Sequence, residues 1–410
     1  MVRKGWRQVT LGDIALFQGG SQPPLSVFSS QKKAGYIRLV QIRDYKTDKH
    51  ATYIPEKLAK RFCKQDDIMI GRYGPPIFQI LRGIEGAYNV ALIKALPQGV
   101  EKEFLYHTLK REDLFEYIDL LSRRTSGQTG VDLTNLKAFE LSIPVLTDEQ
   151  ATIAKALSDV DNLIFSLQKL IEKKKGIKQG AMQELLTGKK RLPGFSGEWS
   201  QAPFGDLLDF LPTNAFTRDQ MTDTGTIQNV HYGDILTKYG ACLDMANTDV
   251  PYLLESVSVR KYSESSYVRE GDMIIADTAE DSTVGKCVEL VNVHGKVLSG
   301  QHTMLCRPKI AFAPKFLGYY MNAECFHNQM LPFITGIKVS SISKANISTL
   351  VLKYPTLVEE QQAIARVFSD MDEEIAQLEK KLAKYQQIKQ GMMQELLTGR
   401  IRLKEGENNA

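Results

Sequence analysis

The residues whose spacing could support catalysis are few, and none of them completes a catalytic motif. Residues 74–77, Gly-Pro-Pro-Ile, are the nearest match to the Asn/Asp-Pro-Pro-Tyr/Phe motif of enzymes that methylate base amino groups. They lack both the amide or acid that holds the target amine and the aromatic ring that stacks on the base. A phosphate-binding loop needs Gly-Lys followed by Ser or Thr, but Lys286 precedes Cys287 and Lys296 precedes Val297. We therefore predict that the chain is not an enzyme.

Three acidic residues near position 280 and a histidine at position 302 are the remaining candidates for a catalytic or metal site. Asp277, Glu280, Asp281 and His302 include the groups that an acid–base or metal site requires. Acidic residues in a turn after a strand are usually solvated, so we interpret this group as surface. The six histidines have no His-Glu-x-x-His spacing and the five cysteines form no Cys-x-x-Cys pair. We therefore predict reduced thiols and no metal site.

The composition indicates a globular chain with more than one domain. Its 410 residues are 43% hydrophobic and 24% charged, and such a length favours two to four folded segments. No apolar run approaches the roughly 18 residues that span a bilayer, and the start lacks a signal peptide, so we expect a cytoplasmic protein. Residues 1–143 carry 22 Lys/Arg against 15 Asp/Glu, a net charge of +7, but residues 193–354 carry 13 against 17, a net charge of −4. Only the first of these segments has the positive charge typical of a nucleic-acid binder.

A tandem duplication organises the chain. Residues 144–192 align with 355–403 without a gap, at a constant offset of 211. The densest shared block is Ile-Lys-Gln-Gly-x-Met-Gln-Glu-Leu-Leu-Thr-Gly-x-x-Arg-Leu, which occupies 177–192 and again 388–403. Weaker matches relate residues 67–70 to 272–275 at an offset of 205, and residues 104–105 to 316–317 at an offset of 212. A drifting offset predicts that the two copies share a frame and differ in their loops.

Each repeated segment follows a proline and has the apolar spacing of a long helix. A heptad stripe runs through Ile153, Leu157, Val160, Ile164, Leu167 and Ile171 of the first copy, and through Ile364, Phe368, Met371, Ile375, Leu378, Leu382 and Tyr385 of the second. A helix of about 40 residues is about 60 Å long, and so narrow a stripe needs a partner helix. We predict that the two copies pack on each other. The alternative is that each helix packs separately on its own globular module. Gly188 and Gly399 occupy the positions of C-terminal caps.

The globular modules combine strands with one clear helix each. In the first module we predict strands over 36–42, 68–70 and 88–96 and a helix over 103–121. In the second we predict strands over 226–230, 273–276, 287–291 and 303–306 and a helix over 314–330. The predicted fold class is α+β, with module 1 at 1–143, helix 1 at 144–192, module 2 at 193–354, helix 2 at 355–403 and a polar tail at 404–410.

Several of these features resemble one known family. The paired Gln-Glu-Leu-Leu-Thr-Gly blocks, the Leu-Pro-Gly-Phe-Ser-Gly-Glu-Trp linker at 192–199 and the doubled Glu-Gln helix starts are similar to those of type I restriction-modification specificity subunits. The resemblance covers nearly the whole chain. It implies two α/β target-recognition domains, each reading one half of a split double-stranded DNA site. They would be separated by two long antiparallel coiled-coil helices.

The resemblance also implies partners. Two methylation subunits would dock on the helices, and restriction or motor subunits would join the complex. Catalysis would belong to those partners. S-adenosylmethionine is then expected in the methylation subunits, with no cofactor in this chain and a prokaryotic host. A coiled-coil adaptor that assembles proteins without reading DNA is the alternative, favoured by the acidic second module.

Loops at strand ends supply the candidate DNA contacts, because base edges and phosphates are bound by Arg, Lys, Gln, Asn, Ser and Thr. In the first module these are Arg38, Gln41, Arg43, Arg72, Tyr73, Arg123, Arg124, Gln128 and Thr129. In the second module they are Gln228, Asn229, His231, Tyr232, Lys238, Asp277, Lys338 and Ser340. Asp277 or Glu280 could accept a hydrogen bond from a cytosine amino group. For any single residue, ordinary surface polarity is the alternative.

Polar residues that recur in both helical copies are the candidates for subunit docking. They are Lys178, Gln183 and Glu184 in the first copy and Lys389, Gln394 and Glu395 in the second. An apolar seam alone does not require these polar identities. Helix capping and surface salt bridges are the alternative explanation.

Overall fold

The computed structural model describes residues 4–123, 130–281, 283–336 and 339–403; of Arg123 only the backbone is described. The chain divides into two compact units. Unit 1 contains Met1–Gln168 and Lys380–Ala410, and unit 2 contains Lys169–Glu379. Each unit therefore combines one globular module with the first half of one long helix and the second half of the other. The predicted tail at 404–410 lies outside the described residues. No described helix is both long enough and apolar enough to cross a membrane.

Unit 1 holds two four-stranded sheets, β2-β9-β6-β7 and β4-β3-β8-β5, and the antiparallel pair β1-β10. The elements up to the first long helix are β1 (Trp6–Thr10), α1 (Leu11–Ile14), β2 (Ala15–Gly19), β3 (Tyr36–Val40), β4 (Tyr53–Pro55), β5 (Phe62–Cys63), β6 (Ile68–Gly71), β7 (Gln79–Leu81), β8 (Gly86–Tyr88), β9 (Leu92–Pro97), α2 (Lys102–Leu109), α3 (Glu112–Arg123), α4 (Leu133–Ala138), β10 (Glu140–Pro144) and α5 (Thr147–Leu185).

Unit 2 repeats this plan with a five-stranded sheet, β12-β21-β17-β19-β15, a four-stranded sheet, β13-β16-β14-β20, and the pairs β11-β23 and β18-β22. Its elements are β11 (Trp199–Pro203), α6 (Phe204–Leu207), β12 (Leu208–Leu211), β13 (Met221–Thr222), β14 (Ile227–Val230), α7 (Tyr232–Thr237), β15 (Cys242–Asp244), β16 (Tyr252–Leu253), β17 (Met273–Ala276), β18 (Thr278–Ala279), β19 (Cys287–Val291), β20 (Lys296–Ser299), β21 (Thr303–Pro308), α8 (Phe316–Asn322), α9 (Glu324–His327), β22 (Ser340–Ser341), α10 (Lys344–Ser348), β23 (Val351–Pro355) and α11 (Val358–Leu396).

The α+β class and the two repeated domains are confirmed, but three predicted elements are interrupted. The strand expected over 88–96 is two strands, because the Asn89 side chain accepts a hydrogen bond from the Ala91 N–H at 3.1 Å and turns the chain. The helix expected over 103–121 breaks between Leu109 and Glu112. The helix expected over 314–330 ends at Asn322, because Ala323 adopts an extended conformation before α9 begins.

Both long helices contribute to the core of each unit. In unit 1, Ile153 and Leu157 of α5 share one apolar cluster with Leu396 and Leu397 near the end of α11. Further along, the Lys389 ammonium lies 2.5 Å from the Asp161 carboxylate. Residue numbers therefore rise along α5 as they fall along α11, so the two segments run antiparallel within unit 1.

Unit 2 contains the equivalent antiparallel pair. Leu185 and Leu186 cluster with Ile364 and Phe368, and Lys178 lies 2.5 Å from Asp372. The heptad residues predicted from the sequence are all buried or half-buried, whereas some large apolar residues off the stripe, such as Phe165 and Leu170, are exposed. The predicted stripe is therefore the packed face of each helix.

A glycine after each long helix allows a tryptophan to pack closely. Gly399 has φ +68°, and a Cβ built on it would lie 2.8–3.0 Å from the Trp6 ring. Gly188 has φ +72° and lies in the same way against Trp199. Since positive φ strains residues that carry a Cβ, the structure confirms both glycines as caps.

A polar side chain of each module contacts the long helices at an equivalent position, but it is a histidine in unit 1 and a tyrosine in unit 2. The buried His107 places Nε2 3.0 Å from Ser158 Oγ, and no described residue binds its Nδ1. At the equivalent position of unit 2, Tyr319 donates a hydrogen bond to Asp372 at 2.9 Å. The pKa of His107 is lowered to about 4, mainly by burial and with smaller contributions from Lys110 and Lys389, against the opposing effect of Asp161.

This pKa predicts an acid-sensitive contribution to stability. A histidine whose folded pKa is lowered binds its proton more readily in the unfolded chain, so the free energy of unfolding falls as pH drops from about 6.5 towards 4. Between pH 7 and pH 5 the expected loss from His107 is about 2 kcal/mol. His107→Tyr, which installs the residue of unit 2, should remove this component in denaturant titrations at both pH values. The exposed His50→Tyr is the control, and equal pH dependence of the two variants would contradict the assignment.

Candidate nucleic-acid interface

The strand order of unit 1 brings the ends of β3 and β6 to one turn. Strand β3 is parallel to β8, and β8 turns directly into β9, which is antiparallel to β6. The Asn89 N–H donates to the carbonyl of Val40 at 3.2 Å, and the Arg72 N–H donates to the carbonyl of Ala91 at 2.8 Å. Residues that follow both strands therefore lie beside residues 89–91.

Unit 2 has the same crossing. The Gly300 N–H donates to the carbonyl of Val230 at 2.9 Å, and the Asp277 N–H donates to the carbonyl of His302 at 3.1 Å. A further segment joins each crossing, because Val131 N–H donates to the Arg72 carbonyl and Ile342 N–H donates to the Asp277 carbonyl. We call residues 41–44, 72–76, 89–91 and 130–131 loop edge 1. We call residues 231–234, 277–281, 300–302 and 339–342 loop edge 2. Residue 282, which follows one of these segments, is outside the described residues.

Loop edge 1 presents one exposed arginine beside a polar network. Arg43 is exposed and donates to Thr52 Oγ1 at 3.2 Å, and Gln41 donates to the same oxygen at 3.0 Å. Arg38, in the body of β3, is instead paired with Asp48 at 2.7 Å and with the buried Asp44 at 3.6 Å. Burial raises the pKa of Asp44 despite the nearby Arg38. Arg43 is therefore better placed than Arg38 to bind a ligand.

The loop after β6 supplies a second arginine. The half-buried Arg72 lies 5.4 Å from the centre of the Tyr73 ring, and its Nε is buried without a described acceptor. Tyr73 forms a bridge with Gly130, where a Cβ would lie 2.7 Å from the Tyr73 ring. An open cleft of about 290 Å³ lies beside both side chains. The predicted contacts Arg124, Gln128 and Thr129 lie outside the described residues, as does the side chain of Arg123.

Loop edge 2 carries a row of aromatic and acidic groups. The His231 and Tyr232 rings lie 4.7 Å apart, and Tyr232 meets the His302 ring edge-on at 5.3 Å. His302 Nδ1 lies 3.8 Å from an oxygen of Asp277. Burial and the neighbouring Arg218 lower the pKa of His231, which accepts a hydrogen bond from Gly233 N–H.

One residue of loop edge 2, Asp234, is a buried acid that binds two cations. Asp234 binds Arg218 at 2.8 Å and Lys238 at 3.0 Å. Burial alone would raise the pKa of Asp234, but the hydrogen bonds from the two cations lower it. The exposed Lys238 is thus held by the Asp234 carboxylate. Gln228 is half-buried in β14 and lines an open cleft of about 650 Å³.

The remaining predicted DNA contacts of the second module are Asn229, Ser340 and Lys338. Asn229 is fully buried and accepts a hydrogen bond from the Asn214 amide at 2.6 Å, because alternate strand residues face inward. Its predicted contact with a base is wrong for this structure. Ser340 pairs with Ala279 at the β18–β22 ladder of loop edge 2. Lys338 lies outside the described residues.

Two residues near loop edge 2, Arg218 and His302, were not predicted from the sequence as candidate DNA contacts. Arg218 reaches His231 and Asp234 only through tertiary folding, and no local motif marks it. His302 was considered only as an acid–base or metal ligand with Asp277, Glu280 and Asp281. Among the described residues, no group of three or more His, Cys, Asp or Glu side chains could hold a metal ion. The cysteines are free and burial raises the pKa of each: Cys63, Cys242, Cys287, Cys306 and Cys325.

Each unit also has a groove between the end of a long helix and the helices of its module. The residues that line groove 1 include Gln390, Met393, Gln394 and Thr398 and residues 110–113 and 116. Groove 2 is lined by the repeated Gln179, Met182, Gln183 and Thr187 and by residues 322–325 and 328. In both grooves a glutamine donates to a glutamate of the module, from Gln390 to Glu112 and from Gln179 and Gln183 to Glu324.

The other predicted docking residues take part in contacts within their own unit. Lys178 and Lys389 are paired with Asp372 and Asp161 inside the helix pairs. Glu184 lies 3.6 Å from Lys190, and Glu395 lies 3.4 Å from Arg400. These four residues fit the alternative of structural ion pairs, whereas Gln183 and Gln394 are exposed beside the grooves.

Comparisons with known proteins agree with the duplicated plan. The family described as "Type I restriction modification DNA specificity domain" matches twice, over residues 3–179 and 197–390. The specificity subunit of the type I restriction enzyme MjaVIII from Methanocaldococcus jannaschii is 24% identical, over 98% of this chain and 94% of the relative. The match to this relative therefore covers nearly the whole length of both proteins.

Solved structures share the fold. The S subunit of a type I restriction-modification system from M. genitalium superposes with a TM-score of 0.58 at 13% identity, covering 97% of this chain and 96% of that one. A chain from a structural study of complex assembly and conformational transition of the type I R-M system gives a TM-score of 0.56 at 16% identity, covering 98% and 100%. With two copies of the family domain in sequence and the shared fold in structure, the chain belongs to the type I restriction modification DNA specificity family.

Proposed function

We propose that this chain is the non-catalytic DNA-recognition subunit of a type I restriction-modification complex, and that each loop edge reads one half of a bipartite double-stranded site. The observation that carries the proposal is the repeated crossing at Val40, Arg72 and Ala91 and at Val230, Asp277 and His302. The two crossings share their main-chain hydrogen bonds and differ in their side chains. Such an arrangement lets one fold present two different sets of base-reading groups.

The side chains of the loop edges have the chemistry that base and phosphate contacts require. Arg43, Arg72 and Tyr73 supply cationic and aromatic groups to loop edge 1, and His231, Tyr232 and Asp277 supply polar and aromatic groups to loop edge 2. Arginine pairs with guanine edges and with phosphates, while carboxylates accept from cytosine. The acidic balance of the second module is therefore compatible with base reading.

The long helices are proposed to act as the spacer between the two readers. Each is continuous over 39 residues, which corresponds to about 58 Å at 1.5 Å per residue. Their antiparallel contacts within each unit, Asp161 with Lys389 and Lys178 with Asp372, support this role. A stiff spacer of fixed length would set a fixed number of unread base pairs between the half-sites.

The repeated grooves are proposed to dock two copies of one methylation subunit. Groove 1 and groove 2 present the same Gln, Met, Gln and Thr side chains from the two helix ends. Two equivalent surfaces from one chain suit two copies of the same partner. Methyl transfer, and with it S-adenosylmethionine, would then belong to that partner, and a restriction or motor subunit would join the assembled complex.

The function is tested by mapping methylated adenines on random DNA with the reconstituted complex of this chain and its methylation subunits. The expected result is one gapped sequence with two specified halves, together with DNA retention that weakens as salt rises. A complex that assembles but retains no DNA would support the adaptor alternative and contradict the proposal. Methyl transfer by this chain alone would contradict its non-catalytic assignment.

Groove variants should change the stoichiometry of the complex. Gln394→Arg places a longer, positively charged side chain at groove 1, and Gln183→Arg does the same at groove 2. We expect each single variant to retain one methylation subunit and the double variant to retain none, as measured by native mass spectrometry. The exposed Gln377→Arg, on α11 outside both grooves, is the control. Two bound subunits on the double variant would show that the grooves are not the docking surfaces.

A further inference from the structure

Arg72 and Asp277 occupy the same position of the repeated scaffold. The offset of 205 that aligns residues 67–70 with 272–275 places Arg72 directly on Asp277. Strand β6 precedes the one and strand β17 precedes the other. The equivalence therefore holds in sequence and in the order of the elements.

The main-chain hydrogen bonds of the two residues are also equivalent. Arg72 donates to Ala91 at 2.8 Å and accepts from Val131 at 2.9 Å; Asp277 donates to His302 at 3.1 Å and accepts from Ile342 at 3.0 Å. With both main-chain groups engaged on two sides, the backbone at this position is held firmly in both units. The direction in which each side chain leaves the backbone is set by the same local frame.

Both side chains keep hydrogen-bonding capacity unused. The guanidinium of Arg72 is bound by no described acceptor, and its Nε is buried without a partner. The Asp277 carboxylate accepts a hydrogen bond from Thr278 at 2.8 Å through Oδ1, and no described residue donates to its Oδ2. Each is only partly exposed and lies next to an aromatic residue or histidine, Tyr73 in one case and His302 in the other.

A surface that meets DNA restricts what these two groups can bind. A carboxylate is repelled by phosphates, so Asp277 is suited to a base amino group, and cytosine N4 is the donor that acidic side chains select in the major groove. A guanidinium pairs with O6 and N7 of guanine. Guanine and cytosine belong to the same base pair, so one scaffold position can read that pair from either strand.

We infer that Arg72 and Asp277 are equivalent specificity determinants: Arg72 reads the guanine of a G·C pair in one half-site, and Asp277 reads the cytosine of a G·C pair in the other. The inference rests on the proposed function. One base pair in each half-site of the DNA is thereby assigned to the same position of the repeated protein fold, the residue after β6 or β17.

The test compares methylation maps of the reconstituted complex carrying Asp277→Asn or Arg72→Gln with the map of the unchanged complex. Asp277→Asn is expected to lower the preference for cytosine about ten-fold at one position of one half-site, because an amide pairs with adenine instead. Arg72→Gln is expected to lower the preference for guanine by a similar factor at one position of the other half-site. In each variant the untouched half-site reports that the complex is folded and assembled.

Matched controls remove the same charges elsewhere in the same units. Glu264→Gln neutralises an exposed acid of unit 2 and Arg61→Gln neutralises an exposed base of unit 1, both outside the loop edges; neither should alter the recognised sequence. A gapped site that both variants leave unchanged, or a change at a position that is not G·C, would overturn this inference and leave the proposed function standing. An unchanged complex without any sequence preference would overturn both.

Discussion

Replacing residues 1–143 with the first module of another family member is expected to change one half of the recognised site completely and to leave the other half unaltered. The module is closed by the pairing of β1 with β10, from Trp6 opposite Pro144 to Thr10 opposite Glu140. All parts of loop edge 1 lie within this closed module, so the exchange transfers its reading groups together. The sequence recognised by the hybrid complex is obtained by mapping methylated adenines.

The design of the hybrid follows from the packing at the module boundary. The donor module should carry tryptophan at the position of Trp6, since this ring packs on Gly399. Exchange of residues 193–354 is the reciprocal control and should alter only the other half-site. If either exchange altered both halves, the two loop edges would not be independent readers.

Leu396→Ala combined with Leu397→Ala is expected to unfold the first module while the second stays intact. Both side chains are almost fully buried in the cluster that contains Phe104, Leu105 and Ile153. Each buried Leu→Ala substitution costs about 2–5 kcal/mol, so the pair removes about 4–10 kcal/mol. A domain has a net stability of about 5–15 kcal/mol, so most of the stability of unit 1 would be lost.

Limited proteolysis with peptide mapping measures this effect directly. We expect new cleavage within residues 4–143 and continued protection of residues 199–355. The equivalent pair Leu185→Ala and Leu186→Ala, which lies in the core of unit 2, should give the opposite pattern. Equal sensitivity of both modules in either variant would contradict the division of the chain into these two units.

The repeat made much of the fold predictable from the sequence. Offsets of 205 to 212 located the strands before Arg72 and Asp277 and the helices at Phe104 and Phe316. The caps at Gly188 and Gly399 were predictable because their chemistry is local: a positive φ at a helix end favours glycine. The heptad stripe was predictable for the same reason, since burial follows the helical period.

Long-range contacts account for what the sequence did not reveal. Lys178 and Lys389 recur for a reason that docking alone did not suggest, because each pairs with an aspartate about 200 residues away in the chain. Asn229 was expected at the surface, yet its place in β14 turns it inward. The role of Arg218 depends on its meeting Asp234 in three dimensions. None of these relations leaves a periodic or local mark.

The composition of unit 1 has a consequence for how the protein is made. Residues 169–379 are contiguous, so unit 2 has all of its segments before synthesis ends, whereas unit 1 needs Leu396 and Leu397 from the last turns of α11. At about 5–20 residues per second, the ribosome takes about 11 to 46 s to add the roughly 230 residues between position 168 and Leu397. Throughout that time the module of unit 1 has an incomplete core and exposes apolar surface to chaperones and proteases. Unit 1 thus begins to be synthesised before unit 2 but is completed after it.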